Sequence, residues 1–109
     1  MSAMNESLRT WFEEHEERVR ALMHDIWSHP ELALHEYYAC EAMVRFLREQ
    51  GFSDIQTYAA EDFQNPEARP NTVIATYGSG RPVIAIVGEL DALPDLGQEP
   101  VPHYAPVAG

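Results

Sequence analysis

Pro82-Val83-Ile84-Ala85-Ile86-Val87-Gly88-Glu89-Leu90-Asp91-Ala92-Leu93-Pro94 is the stretch on which the reading of this chain turns. Residues 83–87 are wholly apolar, mostly β-branched and bounded by proline and glycine, which is the pattern of a buried strand. A strand with no polar alternation needs cover on both faces. The run then delivers Glu89 and Asp91 to its carboxyl end, where ligands collect in open α/β sheets. Two residues apart in extended chain, these carboxylates point the same way. Placed together at the edge of an apolar layer they repel unless a cation, a histidine or a proton intervenes. Zinc and harder divalent metals accept such oxygen ligands. The same spacing also suits a plainer reading, with Asp91 capping a turn and Glu89 solvated. The residues alone leave both open.

Working outward, residues 72–77 (TVIATY) are β-rich, and Gly78-Ser79-Gly80-Arg81 supplies a turn. The spacing predicts an antiparallel hairpin between residues 72–77 and 83–87. Residues 59–70 hold two prolines and several acidic side chains and read as a surface loop. Residues 52–58 suit a short strand.

The N-terminal half is helical in pattern. Leu8, Trp11, Phe12, His15, Val19, Leu22, Met23 and Ile26 recur at helical spacing, with Glu13, Glu14, Glu16, Glu17, Arg18 and Arg20 on the other face. Ser7 is the expected N-cap, and Pro30 stops the helix and pushes His29 off helical angles. A second helix is predicted over residues 34–50, with Tyr37, Cys40, Met43, Val44 and Leu47 as its apolar stripe and Gly51 as its left-handed C-cap. Cys40 lies on that stripe and reads as a core thiol rather than a nucleophile. The predicted class is α/β: two helices, then a short, mainly antiparallel sheet. Residues 1–93 form a partial α/β domain, and residues 94–109, with four prolines, form an extended tail.

Composition bounds the function. The 109 residues suffice for one small domain, in which 45% hydrophobic and 23% charged residues argue against wholesale disorder. Seven basic residues, all arginine, face 18 acidic ones, for a net charge of -11. Such a surface repels phosphate backbones and anionic lipid, which excludes nucleic-acid binding by counterion release and argues against membrane association. No apolar run approaches the ~20 residues of a bilayer span. The N-terminus has no signal-peptide pattern, and the single Cys40 has no internal disulfide partner, so the expected compartment is the cytoplasm.

Other chemistry is sparse. His24, His29 and His35 surround the Pro30 break, yet no pair has the i, i+4 spacing of a helical zinc site, and capping or exposure accounts for most of them. Gly78-Ser79-Gly80 lacks a following helix and reads as a turn rather than a phosphate cradle. No Gly-x-Ser-x-Gly elbow occurs, so a serine hydrolase has no nucleophile here.

Two segments carry a family resemblance. Ile26-Trp27-Ser28-His29-Pro30-Glu31-Leu32, followed by Glu36 and a helix ending Phe46-Leu47-Arg48-Glu49-Gln50-Gly51-Phe52, resembles the start of the aminoacylase/carboxypeptidase-type binuclear metallopeptidases. The amidohydrolase branch, with its aminobenzoyl-glutamate hydrolase-like members, fits best. Residues 82–94 resemble the family's first active-site strand and loop, and the two segments stand in the family's order. The resemblance implies an α/β/α catalytic domain interrupted by a smaller dimerisation domain, and an enzyme, often homodimeric, that uses divalent metal (Zn or Mn) to cleave an amide beside a free carboxylate. In the wider family the strand-end motif is His-x-Asp, the His binding metal and the Asp orienting it. Asp91 matches that Asp and is the implied catalytic residue, fixing ligand geometry. Glu89 stands at the His position, where the amidohydrolase branch also carries an acidic residue, and is the implied metal residue.

The resemblance further implies that complete members continue into a His/Cys-Gly-His metal segment, a Glu pair with the general base, later His ligands and the dimerisation domain. None of these occurs within the 109 residues. The expectation is therefore an N-terminal fragment of a hydrolase of N-acyl amino acids, aminoacyl-glutamates or dipeptides, inactive and binding no metal by itself. An alternative from another class is a non-enzymatic acidic helical module that binds a protein partner through its amphipathic stripes. A third keeps the fragment and has a separate chain supply the missing ligands.

Overall fold

The computed structural model describes residues 2–60 and 69–107. Helix α1 spans Ala3–Ser28, helix α2 Tyr37–Glu49, strand β1 Asp54–Tyr58 and strand β2 Thr72–Thr76. The class expected from the sequence is the class observed, two helices followed by an antiparallel sheet.

Helix α1 starts earlier than expected. Ser2, not Ser7, is its N-cap: Ser2 Oγ accepts from the Asn5 N–H at 3.4 Å, and Glu6 sits in the first turn, where the helix dipole favours an acid. Ala3-Met4-Asn5-Glu6 contains no breaker, so the helix runs back to the first available cap. At the other end α1 stops at Ser28, with His29 as C-cap ahead of Pro30.

Helix α2 begins at Tyr37, three residues later than predicted, because Leu34 takes a left-handed conformation (φ 71°) that no helix accommodates. Its far end closes as a Schellman motif. Phe52 N–H donates to Leu47 C=O and Gly51 N–H to Arg48 C=O, both at 3.0 Å, with Gly51 at φ 94°. Ala39, Cys40 and Ala42 on α2 are buried, and Tyr37 with them. This small cluster is the core.

The two helices touch through the second half of α1. Arg18 pairs with Glu49 at the α2 C-terminus, and Leu22 and Asp25 face Ala42 and Arg45. Residues of α1 before Arg18 run past the end of α2, and Leu8, Trp11 and Phe12, expected to face a core, are exposed.

The strand pairing corrects the predicted hairpin. Strand β2 pairs with β1, in the register Asp54↔Thr76 through Tyr58↔Thr72, rather than with residues 83–87. Asn71 N–H closes the ladder on Tyr58 C=O at 3.0 Å. The predicted loop over residues 59–70 lies largely outside the described residues, which omit 61–68. Residues 83–87 form no ladder. Together with β2 they line a gap of about 820 Å³. Val83, Ile84, Ile86 and Val87 are 81–98% exposed. The tail also departs from expectation. Residues 97–107 close on themselves through a Gln98–Pro106 bridge, because the Gln98 side chain accepts from Ala105 N–H and donates to Glu99 C=O and His103 C=O.

The chain as a whole is open. Its radius of gyration is 16.7 Å, where a compact domain of this length has about 13 Å. Its accessible surface is 9125 Å², where a compact monomer of 12.4 kDa exposes about 6,100 Å². The excess includes the apolar run that the sequence requires to be covered.

Candidate functional site

The acidic side chains that precede α2 are held by their own local chemistry. Glu31 lies in the turn between the helices. Its carboxylate accepts from Tyr38 N–H (2.9 Å) and Ala39 N–H (2.9 Å), two of the N–H groups that the start of α2 leaves without intrahelical partners. Its backbone carbonyl accepts from Ala92 N–H at 2.7 Å. The two segments that carry the family resemblance therefore meet at this bond.

Glu36, immediately before α2, makes a second set of contacts. Its Oε1 accepts from Leu34 N–H at 3.0 Å, and its Oε2 accepts from Asn71 Nδ2 at 3.1 Å. Asn71 is 7% exposed and returns the contact to the chain, accepting from Ala60 N–H on its Oδ1 at 2.9 Å. A buried amide of this kind is retained only with its partners in place.

Glu89 is exposed and Asp91 half-buried. Both line a trough of about 890 Å³ that also takes in Glu36, with Met43, Leu47 and Phe52 as an apolar floor. The predicted pair is thus brought to one concavity, and Glu36, missed as a member from sequence, joins it. The available signal was its place in the segment that carries the family resemblance.

The donor set in this trough does not complete a metal centre. Zinc takes three or four protein ligands, Glu36 is already engaged by Leu34 and Asn71, and no group of three His, Cys, Asp or Glu side chains is disposed around one point among the described residues. Glu89 and Asp91 supply at most part of such a site.

The histidines are occupied in other ways. His29 stacks on Tyr38 at 4.0 Å, and its Nδ1 lies 2.8 Å from the Asp25 carbonyl and 3.5 Å from Asp25 Oδ1. Tyr38 O–H donates to Asp25 Oδ1 at 2.7 Å, and this bond, with some burial, raises the Tyr38 phenol above its ordinary value. His24 packs beside Trp27 and His35 against the edge of Tyr37. Cys40 is 2% exposed, and burial, with Glu41, Glu31 and Glu36 nearby, pushes its thiol up. A thiol held neutral is a core side chain and not a nucleophile, as the sequence indicates. Among the described residues no helix is long and apolar enough to cross a membrane.

Comparison with known proteins gives this geometry a context. Over 83 residues the chain is 35% identical to a p-aminobenzoyl-glutamate hydrolase subunit of Escherichia coli (strain K12). The match takes in 76% of this chain and 16% of that protein, so the chain spans a small part of its relative's length. No family model and no solved structure matches. The similarity supports an aminobenzoyl-glutamate hydrolase-like relationship.

Proposed function

We propose that the chain is the N-terminal part of the catalytic domain of a metal-dependent amide hydrolase and is inactive by itself. The observation that carries this reading is the 35% identity over 83 residues to a hydrolase subunit. Two structural features support it. The trough gathers Glu89 and Asp91, and residues 83–87 present an apolar surface of the kind that further chain covers.

In this reading Asp91 orients a metal ligand, Glu89 lies at the metal position, and Zn or Mn is held jointly with residues from the remainder of a longer protein. The substrate class is a small amide beside a free carboxylate: an N-acyl amino acid, an aminoacyl-glutamate or a dipeptide. The relative's designation as a subunit supports assembly with a further chain. The test is to express the complete reading frame that contains this chain, load it with Zn or Mn, and assay these amides. Metal-dependent cleavage is expected. A folded product with no bound metal and no cleavage of any of them overturns the reading.

A second reading is favoured by the exposed stripe Met4, Leu8, Trp11 and Phe12 on the part of α1 that runs past α2. This stripe suits an acidic module that docks a protein partner. A monodisperse, cooperatively folding 109-residue chain with micromolar affinity for such a partner distinguishes it from a hydrolase fragment.

A further inference from the structure

We infer that Glu31 is a positioning residue for the Asp91 loop, an assignment that rests on the amide-hydrolase reading for its functional meaning but not for its geometry. One residue joins three parts of the chain. The Glu31 carboxylate is fixed at the start of α2 by Tyr38 N–H and Ala39 N–H, each at 2.9 Å. Bonds from N–H groups to a carboxylate are charge-assisted, and the helix dipole adds to them. With its side chain held at both oxygens, Glu31 presents its backbone carbonyl in a fixed place, and Ala92 N–H donates to it at 2.7 Å. Ala92 follows Asp91 directly, so this bond anchors the loop that carries Asp91 into the trough.

The loop has few other ties. Among the described residues, that bond is the one backbone hydrogen bond outside helices and strands from residues 83–93 to the helical half of the chain. Residues 83–87, just before it, form no ladder, and Glu89 is exposed. The side chain of Glu31 therefore acts on Asp91 through the peptide unit between them. A Glu at this place does more than cap a helix.

The test is amide exchange on the 109-residue chain, comparing Glu31→Gln and Glu31→Ala with the parent. Glu31→Ala removes both acceptors, whereas Glu31→Gln keeps one oxygen. Exchange at Tyr38, Ala39 and Ala92 is expected to rise together, by about tenfold or more in Glu31→Ala and less in Glu31→Gln. Amides of the β1–β2 ladder are expected to stay within about twofold, which separates a local effect from general loosening. Faster exchange at Tyr38 and Ala39 with Ala92 unchanged overturns the inference, as does an equal rise everywhere. If Glu31→Ala does not fold, the partial effect in Glu31→Gln decides. In the product of the complete reading frame, Glu31→Ala is expected to lower kcat about tenfold with KM little changed, the split of a displaced catalytic loop. Should that product cleave no amide, the hydrolase reading fails, while the exchange result still decides whether Glu31 holds the loop.

Discussion

Asn71 donates from Nδ2 to Glu36 Oε2 at 3.1 Å, joining the start of β2 to the start of α2 across 35 residues of chain. Because Asn71 is 7% exposed and also receives Ala60 N–H, removing it strands two groups. Asn71→Ala is expected to cost about 1–3 kcal/mol in urea denaturation. Asn71→Asp places a second carboxylate against Glu36 and is expected to cost at least as much at neutral pH and less in acid, where protonation relieves the repulsion. Equal stability of both variants and the parent contradicts this role.

Tyr38 and Asp25 make a polar contact between the end of α1 and the start of α2. Hydrogen bonding to Asp25 raises the Tyr38 phenol above the ordinary tyrosine value of about 10. A raised folded-state value means that the contribution is complete below the unfolded value and disappears as pH rises through the folded one. Tyr38→Phe is therefore expected to destabilise the chain near neutrality, with the gap to the parent shrinking in strongly alkaline solution. Denaturation curves at about pH 8 and about pH 11 check this, and a constant gap contradicts it.

Cys40 is 2% exposed with its thiol pushed up by burial. Thiol reagents act on the thiolate, so native Cys40 is expected to react at least about a hundredfold more slowly than in denaturant. Rapid labelling of the folded chain contradicts its place in the core. Cys40→Ser leaves a hydroxyl in an apolar setting and is expected to cost about 1–3 kcal/mol.

Ile86 is 98% exposed in a run that forms no ladder. Ile86→Lys is expected to change stability by less than about 0.5 kcal/mol, yet to reduce self-association, because it interrupts an unpaired apolar segment. Size-exclusion chromatography with light scattering reads the effect. A parent chain that is already a compact monomer with low dye binding contradicts the account of an uncovered run.

The elements with local signals were the legible ones. Pro30 marks the end of α1, and Gly51 marks the end of α2, since a left-handed C-cap and its two closing bonds are built into neighbouring residues. Strand pairing was not legible in the same way. Residues 78–81 carry turn chemistry between two β-rich runs, but turn chemistry does not say which strand β2 takes as a neighbour, and β1 supplies it. The composition of residues 83–87 reads as a buried strand, whereas the run forms no ladder and is exposed. In the candidate site, Glu89 and Asp91 were legible because they follow the apolar run directly in the chain. Glu31 and Glu36 were not legible as clamps, because Glu is an uncommon cap and their partners, Ala92 and Asn71, are distant in sequence.

The most direct test of the hydrolase reading is one substitution in the product of the complete reading frame, Asp91→Asn, with bound Zn or Mn and cleavage of an aminoacyl-glutamate measured together. Loss of metal affinity or activity by about 10–100-fold, in a protein that stays folded, is the predicted result. Metal content and cleavage that match the parent, or a parent that has neither, would contradict it.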